Sequence, residues 1–562
     1  MRRFIIFLCL SMMLFSINVK AEAVVDITGL SIEKLHELVD EGLLTYEAIT
    51  KIYLDRIDAF AEEYGVVISV NDDALNQARQ LDEEYRKSGR RSKVFGIPLI
   101  VKDNIDVFGM PTTAGAKGLL QNYPKQDAKV IKALRDGGAI FIAKANMDEF
   151  SFHANFSKSS FGTVLNAYNK KYSSYGSSGG TAVGVALDLA VAGLGTDTGT
   201  SVRVPASANH VIGHRPSKDE IPMEGVISFE SYRDVVGPIA KNSEDAKIIY
   251  EAITNTEKEV IDITSLTIGV YMPEMRAAPN YVTDLINKKI FWLKENGIEV
   301  KEVNDVPLYY DFDATNLCYE FNQYIKNTEG PIRSLTDLIE TGEYTQYIER
   351  YVGAECEYDY TKTQEYAAYR KNFEAYERRM NSAFENLGID VLIYPTMSTP
   401  MYTLEESSTS KLVAFGSEIP PQSGFPAMNI PVGFYDGLPY GLEAVARKGN
   451  DHYLYALAKE IEEGYKLPKG FEALYEVHPQ VKDILDILEL DHDSHYDSVL
   501  NSMRDFILNY YRVEDKQAKI DELLEMYEEV GKREVIKKCV FIGGSVFVSG
   551  SIIWMFVRRK RR

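Results

Sequence analysis

The stretch from Ser173 to Pro205 constrains the fold most, because glycine, serine and other small residues dominate it. Two Gly/Ser-rich turns enclose a segment of small and apolar residues, Thr181 to Ala192. Glycines allow several backbone N–H groups to point at one place, which suits an anion or an oxyanion. This part of the chain is therefore predicted to build a site from main-chain amides.

Three kinds of site fit such a stretch, and the sequence argues against two of them. A phosphate-binding loop requires G-x-x-x-x-G-K-[S/T], and no lysine stands at the required place. A dinucleotide-binding turn requires G-x-G-x-x-G after a strand, and the stretch lacks this hexamer. The third kind is a nucleophilic serine supported by backbone donors.

One form of the third kind is an α/β-hydrolase esterase. Residues 176–180, G-S-S-G-G, fit the nucleophile elbow G-x-S-x-G with Ser178 as the nucleophile. Such an enzyme also needs an acid and a histidine later in the chain, and His452 or His478 would have to serve. The esterase therefore stays open as an alternative.

Segments on both sides of this centre alternate between helical and strand patterns. Residues 30–60 carry apolar side chains at helical spacing and predict two helices that join near Gly42. Residues 127–135 predict a further helix. Strands are predicted at residues 94–101, 139–143, 392–395 and 429–433. This alternation favours a layered α/β domain.

Composition excludes several classes of protein. The chain has 562 residues, of which 45% are hydrophobic, so it can bury a large core. Its formal charge of −21 repels phosphate and argues against a nucleic-acid partner. Four cysteines without a C-x-x-C pair exclude a disulfide-built scaffold and give no sign of a zinc site. Cys318 and Cys356 are available for one disulfide, but the sequence does not show whether they meet.

Several motifs, in a fixed order along the chain, resemble those of the amidase signature family. The resemblance runs from about Leu30 to about Tyr465. It implies an α/β/α sandwich around a large mixed central β-sheet, and hydrolysis of a carboxylic amide C–N bond by a serine nucleophile. The motifs are G-I-P-L-I-V-K-D-N-I-D at 96–106, G-M-P-T-T-A-G at 109–115, G-A-I at 138–140, A-K-A-N-M-D-E-F at 143–150, G-F-P-A at 424–427 and G-L-P-Y-G-L at 437–442.

The resemblance also implies a Ser–cisSer–Lys triad. Lys102, in V-K-D-N, is the implied base, Ser177 the bridging serine, and Ser201, in D-T-G-T-S, the nucleophile. A lysine acts as a base only when burial or a nearby positive charge lowers its pKa, and the apolar residues before Lys102 would bury it. No metal and no cofactor are expected. The oxyanion would be bound by backbone N–H groups of Thr198, Gly199, Thr200 and Ser201.

The sequence departs from the family pattern near this site. Thr200 stands where a glycine is usual, and its side chain would crowd the oxyanion loop. Tyr175 replaces another usual glycine. Asp197 and Arg203 flank the implied nucleophile and are interpreted as braces of its loop. A catalytically weakened surface protein that uses the fold for binding is therefore a second alternative.

The first residues are typical of a secretory signal peptide. Two arginines precede an uncharged run of 14 residues, Phe4 to Ile17, which is short for a membrane span. The tripeptide A-E-A at 21–23 fits a cleavage site. Residues 1–23 are therefore predicted to be a signal peptide and residues 24–466 an extracytoplasmic amidase domain.

The last residues predict a membrane anchor. Residues 539–557 lack charges, and at 1.5 Å rise per residue they nearly match a bilayer core of ~30 Å. Five cations at 558–562 mark the cytoplasmic side. Residues 467–538 show only helical patterns and predict a helical appendage. We thus expect a single-pass protein at the cell membrane.

The expected partners are an amide substrate, small or peptidic, and the membrane. One pair of small residues, Ser545 and Ser549, has the spacing of paired membrane helices, so a homodimer is also open. Residues 491–497 resemble a metal cluster but fail the EF-hand pattern and are interpreted as an acidic turn.

Overall fold

A computed structural model of the chain describes residues 27–463, apart from 258, 308–315, 352–355, 357 and 411–415. Beyond this part it describes residues 487, 496, 499, 500, 502, 503 and 516–541. The predicted signal peptide lies outside the described residues.

Eleven strands form one mixed sheet in the order β1-β4-β2-β7-β9-β8-β14-β15-β13-β10-β11. Strand β2 pairs in parallel with β4 and β7, whereas β7 pairs antiparallel with β9. The predicted α/β fold with a large mixed sheet is thereby confirmed. The strands are β1 Val67–Val70, β2 Pro98–Lys102, β3 Tyr123–Pro124, β4 Ile140–Ala145, β5 Lys158–Ser159, β6 Gly162–Thr163, β7 Ala192–Asp197, β8 Ile212–Arg215, β9 Val235–Ala240, β10 Thr267–Tyr271, β11 Glu299–Val303, β12 Thr328–Glu329, β13 Val391–Pro395, β14 Ala427–Tyr435 and β15 Leu438–Ala446.

The helices lie between these strands along the chain. They are α1 Ile32–Asp40, α2 Tyr46–Tyr64, α3 Ala74–Ser88, α4 Lys129–Gly137, α5 Gly179–Ala186, α6 Arg203–Ala208, α7 Ser243–Thr254, α8 Met272–Ala277, α9 Asn280–Glu295, α10 Leu317–Tyr324, α11 Leu335–Thr341, α12 Gln364–Leu387, α13 Leu404–Thr409, α14 Ile419–Ser423, α15 Asp451–Glu463 and α16 Lys516–Phe541.

The central strands are covered on both faces. Every residue of β2, β4, β7, β9, β13 and β15 is buried. Because successive side chains of a strand point to opposite faces, burial of the whole strand requires cover on both. Helix α5 packs on β2 and β7, and α6 packs on β8 and β15. The two helices that carry the Gly/Ser-rich centre thus lie against the middle of the sheet.

The predicted helices and strands appear with shifted ends. Residues 30–60 form α1 and α2, whose N-caps are the hydroxyls of Ser31 and Thr45, and Gly42 between them has φ +71°. The strand predicted at 94–101 begins only at Pro98. Gly96 before it has φ +72°, and its N–H bonds to the carbonyl of Gly138, so the chain turns there before it extends.

A second hydrophobic core lies beside the sheet. It contains α10, α11 and a 3₁₀ helix, Gln346–Tyr351, and its buried side chains include Leu317, Phe321, Leu338 and Ile348. Cys318 and Cys356 form a disulfide there, with their Cα atoms 5.0 Å apart. We call residues 316–351 together with Cys356 the disulfide subdomain. The structure thereby answers the pairing question that the sequence left open.

The last residues of the predicted appendage, 516–538, belong to helix α16. Ile520 and Leu523, from one predicted apolar stripe, are fully buried. Of the predicted membrane span only residues 539–541 belong to α16, and the others lie outside the described residues. No helix in the described part of the chain is both long and apolar enough to cross a membrane.

Candidate active site

Lys102 is the last residue of β2 and lies fully buried in the middle of the sheet. Its Nζ donates to Ser177 Oγ at 2.7 Å and to Thr196 Oγ1 at 2.8 Å. Thr196 lies near the end of β7, the parallel neighbour of β2, so the carboxyl ends of two parallel strands supply both residues. This edge is where open α/β sheets place their ligands.

The surroundings of Lys102 disfavour its charged form. Burial lowers the pKa of this lysine, and the carboxylates of Asp234, Asp197 and Asp148 raise it less, so that it falls to about 7. An amine with this pKa is neutral in a large fraction of molecules at neutral pH. Lys102 can therefore accept a proton under physiological conditions.

Lys144 provides a comparison within the same sheet. It lies on β4, next to β2, and is buried as completely as Lys102. Its Nζ lies 3.1 Å from Asp103 Oδ1, whereas Lys102 hydrogen-bonds to hydroxyl and carbonyl oxygens. A carboxylate partner stabilises an ammonium group. Of these two buried lysines, only Lys144 has a carboxylate at salt-bridge distance in the described structure.

Ser177 lies in a tightly packed turn before α5. The Gly176–Ser177 peptide bond is cis. The Gly176 N–H donates to the carbonyl of Ala154 at 2.9 Å, and the Ser177 carbonyl accepts from the Asp148 N–H at 3.0 Å. A Cβ on Gly176 would lie 2.2 Å from the carbonyl oxygen of Phe156. This position therefore accepts only glycine.

Tyr175 has a backbone conformation that favours glycine. This conformation explains why the family usually has a glycine at this position. Its φ is +56°, and its side chain is fully buried. The hydroxyl accepts a hydrogen bond from the Tyr402 N–H at 2.9 Å. The tyrosine thus ties this turn to the segment before α13.

Ser201 lies in the loop between β7 and α6 and is 6% exposed. Its carbonyl accepts a hydrogen bond from the Ser178 N–H at 3.1 Å, which joins the two Gly/Ser-rich turns. Thr198 and Thr200 are buried, and Gly199 is half-buried. A Cβ on Gly199 would meet one atom within 4 Å, Glu418 Oε1 at 3.6 Å, so the loop is open on that side.

Buried ion pairs hold this loop, in agreement with the expected bracing role of Asp197 and Arg203. Asp197 pairs with Arg203 at 3.2 Å and with Arg215 at 3.0 Å. Burial raises the pKa of Asp197, but the two guanidinium groups outweigh burial and bring it to about 2. Arg203 also bonds to Glu443 and to the carbonyl of Gly199. Charge-assisted hydrogen bonds between buried side chains therefore fix the loop in place.

The geometry does not favour Ser178 as a nucleophile. Its hydroxyl donates to the carbonyl of Thr196 at 3.2 Å, and no histidine of the described residues hydrogen-bonds to it. His452 lies on α15 with its ring against Tyr453, and His478 is outside the described residues. The esterase alternative thus lacks its general base in the described structure.

Sequence reasoning missed several residues of the site. Thr196 bonds to Lys102 and accepts from Asn104 Nδ2 at 3.2 Å. The Asp148 N–H donates to the Ser177 carbonyl, and the carboxylate of Asp234, which raises the pKa of Lys102, accepts from the N–H groups of Phe229 and Glu230. Thr196 stands in the Gly/Ser-rich stretch, and Asn104 and Asp148 stand in the motifs that resemble the family. Their positions in the sequence could therefore have marked them as candidate site residues. Their hydrogen-bond partners, however, could be identified only from the three-dimensional structure.

Comparisons with known proteins also show similarity to amidases. The profile of the family described as Amidase matches residues 48–455. One component of the glutamyl-tRNA(Gln) amidotransferase of Exiguobacterium sibiricum is 29% identical over 481 residues, which cover 78% of this chain and 98% of that protein. The same component from another Exiguobacterium is 30% identical, again over 78% and 98%.

Solved structures share the fold. The peptide amidase of Stenotrophomonas maltophilia superposes with a TM-score of 0.68 at 26% identity, covering 78% of this chain and 97% of its own. A bacterial aryl acylamidase of the amidase signature family matches in fold, with a TM-score of 0.64 at 20% identity. The family profile, these relatives and the shared mixed sheet agree, and the chain therefore belongs to the amidase family as an amide-hydrolysing enzyme of the amidase signature type.

Proposed function

We propose that the protein hydrolyses a carboxylic amide through a serine acyl-enzyme, with Lys102 as the base, Ser177 as the proton relay and Ser201 as the nucleophile. One observation carries the proposal: the fully buried Lys102, with its pKa lowered to about 7, donates to Ser177 Oγ at 2.7 Å. The hydrogen bond from the Ser178 N–H to the Ser201 carbonyl supports it, because it joins the relay turn to the nucleophile loop.

In the acylation step, Ser201 Oγ attacks the carbonyl carbon of the amide. The Ser201 proton passes to Ser177 Oγ, and the Ser177 proton passes to the neutral amine of Lys102, which becomes an ammonium group. Negative charge develops on the carbonyl oxygen. Backbone N–H groups of residues 198–201 are proposed to stabilise this charge. The ion pairs of Asp197 keep the loop in place without reorganisation during the step.

The leaving amine then takes a proton from Lys102 through Ser177 as the C–N bond breaks. Water attacks the acyl-enzyme and gives its proton to the same relay. Collapse of the second intermediate releases a carboxylic acid and restores the Ser201 hydroxyl. Each of the two half-reactions returns Lys102 to its neutral state. The cycle therefore needs no reactant besides the amide and water.

Mapping a covalent adduct tests the nucleophile. A fluorophosphonate should modify Ser201, as identified by peptide mass spectrometry, and Ser201→Ala should lower kcat by roughly 10³-fold or more. Ser178→Ala is the matched control, since its hydroxyl bonds to the Thr196 carbonyl instead of the relay. An adduct on Ser178 would transfer the protein to the esterase alternative. No labelling of any serine would favour the weakened binding protein.

The substrate is proposed to be a small or peptidic carboxamide. The similarity to a peptide amidase over 97% of that chain supports amidated peptides as the first compounds to assay. Action on tRNA, which the names of the curated relatives indicate, is not extended to this chain. Its net charge of −21 repels polyphosphate.

We also propose that the enzyme faces the outside of the cell and is held by a C-terminal anchor. The uncharged run at residues 4–17 and the uncharged run at 539–557 with its basic end support this location. The Cys318–Cys356 disulfide adds support, because such bonds persist in oxidising compartments.

A further inference from the structure

The segment that follows β4 has an unusual backbone next to the proposed relay. Phe150 and Ser151 are adjacent and have φ of +54° and +60°. Left-handed conformations are unfavourable for such residues, and they persist when their surroundings hold them. Residues 148–153 therefore depend on external contacts for their shape.

This segment supports Ser177 directly. The Asp148 N–H donates to the Ser177 carbonyl at 3.0 Å, and the Ser151 N–H donates to the Asp148 carbonyl at 2.8 Å. His153 bonds to the Asp148 carboxylate through its N–H at 2.7 Å. A change in the backbone of 148–153 would therefore move the donor that holds Ser177.

The disulfide subdomain provides several of the contacts that hold the segment, beside the hydrogen bond from the Phe150 N–H to the Ala114 carbonyl. The carboxylate of Glu149 accepts from the Thr345 N–H at 2.5 Å and from the Thr345 hydroxyl at 2.6 Å. The ring of Phe150 packs edge-on against Phe321, with centroids 5.6 Å apart. Phe150 is 2% exposed, so it is anchored in the second hydrophobic core.

The disulfide closes the part of the chain that carries both contacts. Cys318 lies on α10, as does Phe321, and Cys356 follows the 3₁₀ helix that begins just after Thr345. The bond spans 38 residues. Reduction removes the covalent link between the two ends of this segment. The contacts of Phe321 and Thr345 with residues 148–153 would then depend on non-covalent packing alone.

We propose that the Cys318–Cys356 disulfide positions Ser177 by holding Phe321 and Thr345 against residues 148–153, which makes amide hydrolysis depend on the redox state of this cysteine pair. The inference rests on the proposed function, because it assigns the relay to Ser177. Reduction by dithiothreitol transfers two electrons to the S–S bond and two protons to the sulfurs. Two cysteine thiols form, and the reductant closes to its cyclic disulfide.

The first test compares the oxidised and reduced full-length enzyme in detergent. After reduction and removal of the reductant, a colorimetric thiol reagent added to a denatured sample should count two more thiols per chain than in the oxidised enzyme. The kcat of the reduced enzyme should fall by roughly tenfold or more, because a small misplacement of a catalytic group has such an effect. KM should change little, since Ser177 acts in the chemical step. Reoxidation should restore kcat. An unchanged kcat with Cys318 and Cys356 both reduced would overturn the proposal.

The second test keeps the disulfide and removes one contact. Thr345→Val deletes the hydroxyl that bonds to Glu149 and should lower kcat by roughly threefold or more with little change in KM. Thr341→Val is the matched control, because the Thr341 hydroxyl bonds within the subdomain to the Leu338 carbonyl. Equal kcat values for both variants would overturn the proposal. So would a loss of kcat that only follows the unfolded fraction measured by near-UV circular dichroism.

The outcomes separate this inference from the proposed function. An oxidised enzyme that hydrolyses amides and labels on Ser201, yet ignores reduction, contradicts only the role of the disulfide. An oxidised, folded enzyme that cleaves no amide and takes no label contradicts the proposed function itself, and this inference with it.

Discussion

Lys102 shows how the surroundings of one residue decide its chemistry. Its pKa of about 7 follows from burial, which the carboxylates of Asp234, Asp197 and Asp148 only partly offset. If the neutral amine is the base, as proposed, kcat/KM should rise about tenfold per pH unit below pH 7 and level off above it. A rate profile on a matched amide substrate measures this. A profile that keeps rising towards pH 10 would contradict the lowered pKa of Lys102, because it is the profile of a lysine with its ordinary pKa.

Substitution of the same residue tests the proton transfer separately. Lys102→Arg should lower kcat by at least about 10²-fold, since a guanidinium group does not lose its proton at neutral pH. Lys144→Arg is a useful companion, because Lys144 is equally buried but pairs with Asp103. Lys144→Arg should change the free energy of unfolding more than it changes the pH dependence of kcat/KM. Activity retained in Lys102→Arg would exclude a lysine base.

At the scale of elements, α5 must approach the neighbouring backbone closely. A Cβ on Gly180 would lie 2.0 Å from the carbonyl oxygen of Asn146, whereas a Cβ on Gly184, one turn later, would meet only side-chain methyl groups at 3.1 and 3.2 Å. Gly180→Ala should therefore lower the free energy of unfolding by about 3 kcal/mol or more. Gly184→Ala should cost about 1 kcal/mol or less, since alanine also favours the helix.

Urea denaturation of both variants, followed by tryptophan fluorescence, checks this difference. The comparison isolates the close approach, because both substitutions lie in the same helix and add the same methyl group. Equal destabilisation would mean that the helix shifts away from β4 without cost. In that case the position of Ser177, which closely precedes this helix in the chain, would not depend on the contact.

At the scale of the whole molecule, the prediction concerns orientation. Protease added to intact cells that express the full chain should digest the body, while an epitope tag placed after Arg562 stays protected. The uncharged run at 539–557 and the five cations after it predict this result. Alkylation without reductant should also leave Cys318 and Cys356 unmodified.

Breaking the cells provides the control, since the tag should then become accessible. A body that is digested only after the membrane is opened would contradict the outward orientation. Alkylation of Cys318 or Cys356 in the freshly isolated protein would contradict the oxidising location as well. Neither result would affect the membership of the amidase family, which rests on residues 48–455.

Local pattern predicted the helices at residues 30–60 and 127–135, four strands of the central sheet and the α/β class of the fold. Periodicity placed α1 and α2, and the ordered motifs indicated both the family and three candidate residues, Lys102, Ser177 and Ser201. The helix predictions succeed because the periodicity of a helix depends on residues close together in the chain. The roles of the three residues stay predictions until the variants are measured.

Tertiary structure decided everything that depends on contacts between distant residues. Thr196 and Lys102 are 94 residues apart and share a hydrogen bond, and Cys318 and Cys356 meet across 38 residues. The order of the eleven strands and the support of Ser177 by Asp148 belong to the same group. Such contacts arise when segments bury their apolar faces together, and no local pattern records which faces meet. The lowered pKa of Lys102 follows from that burial.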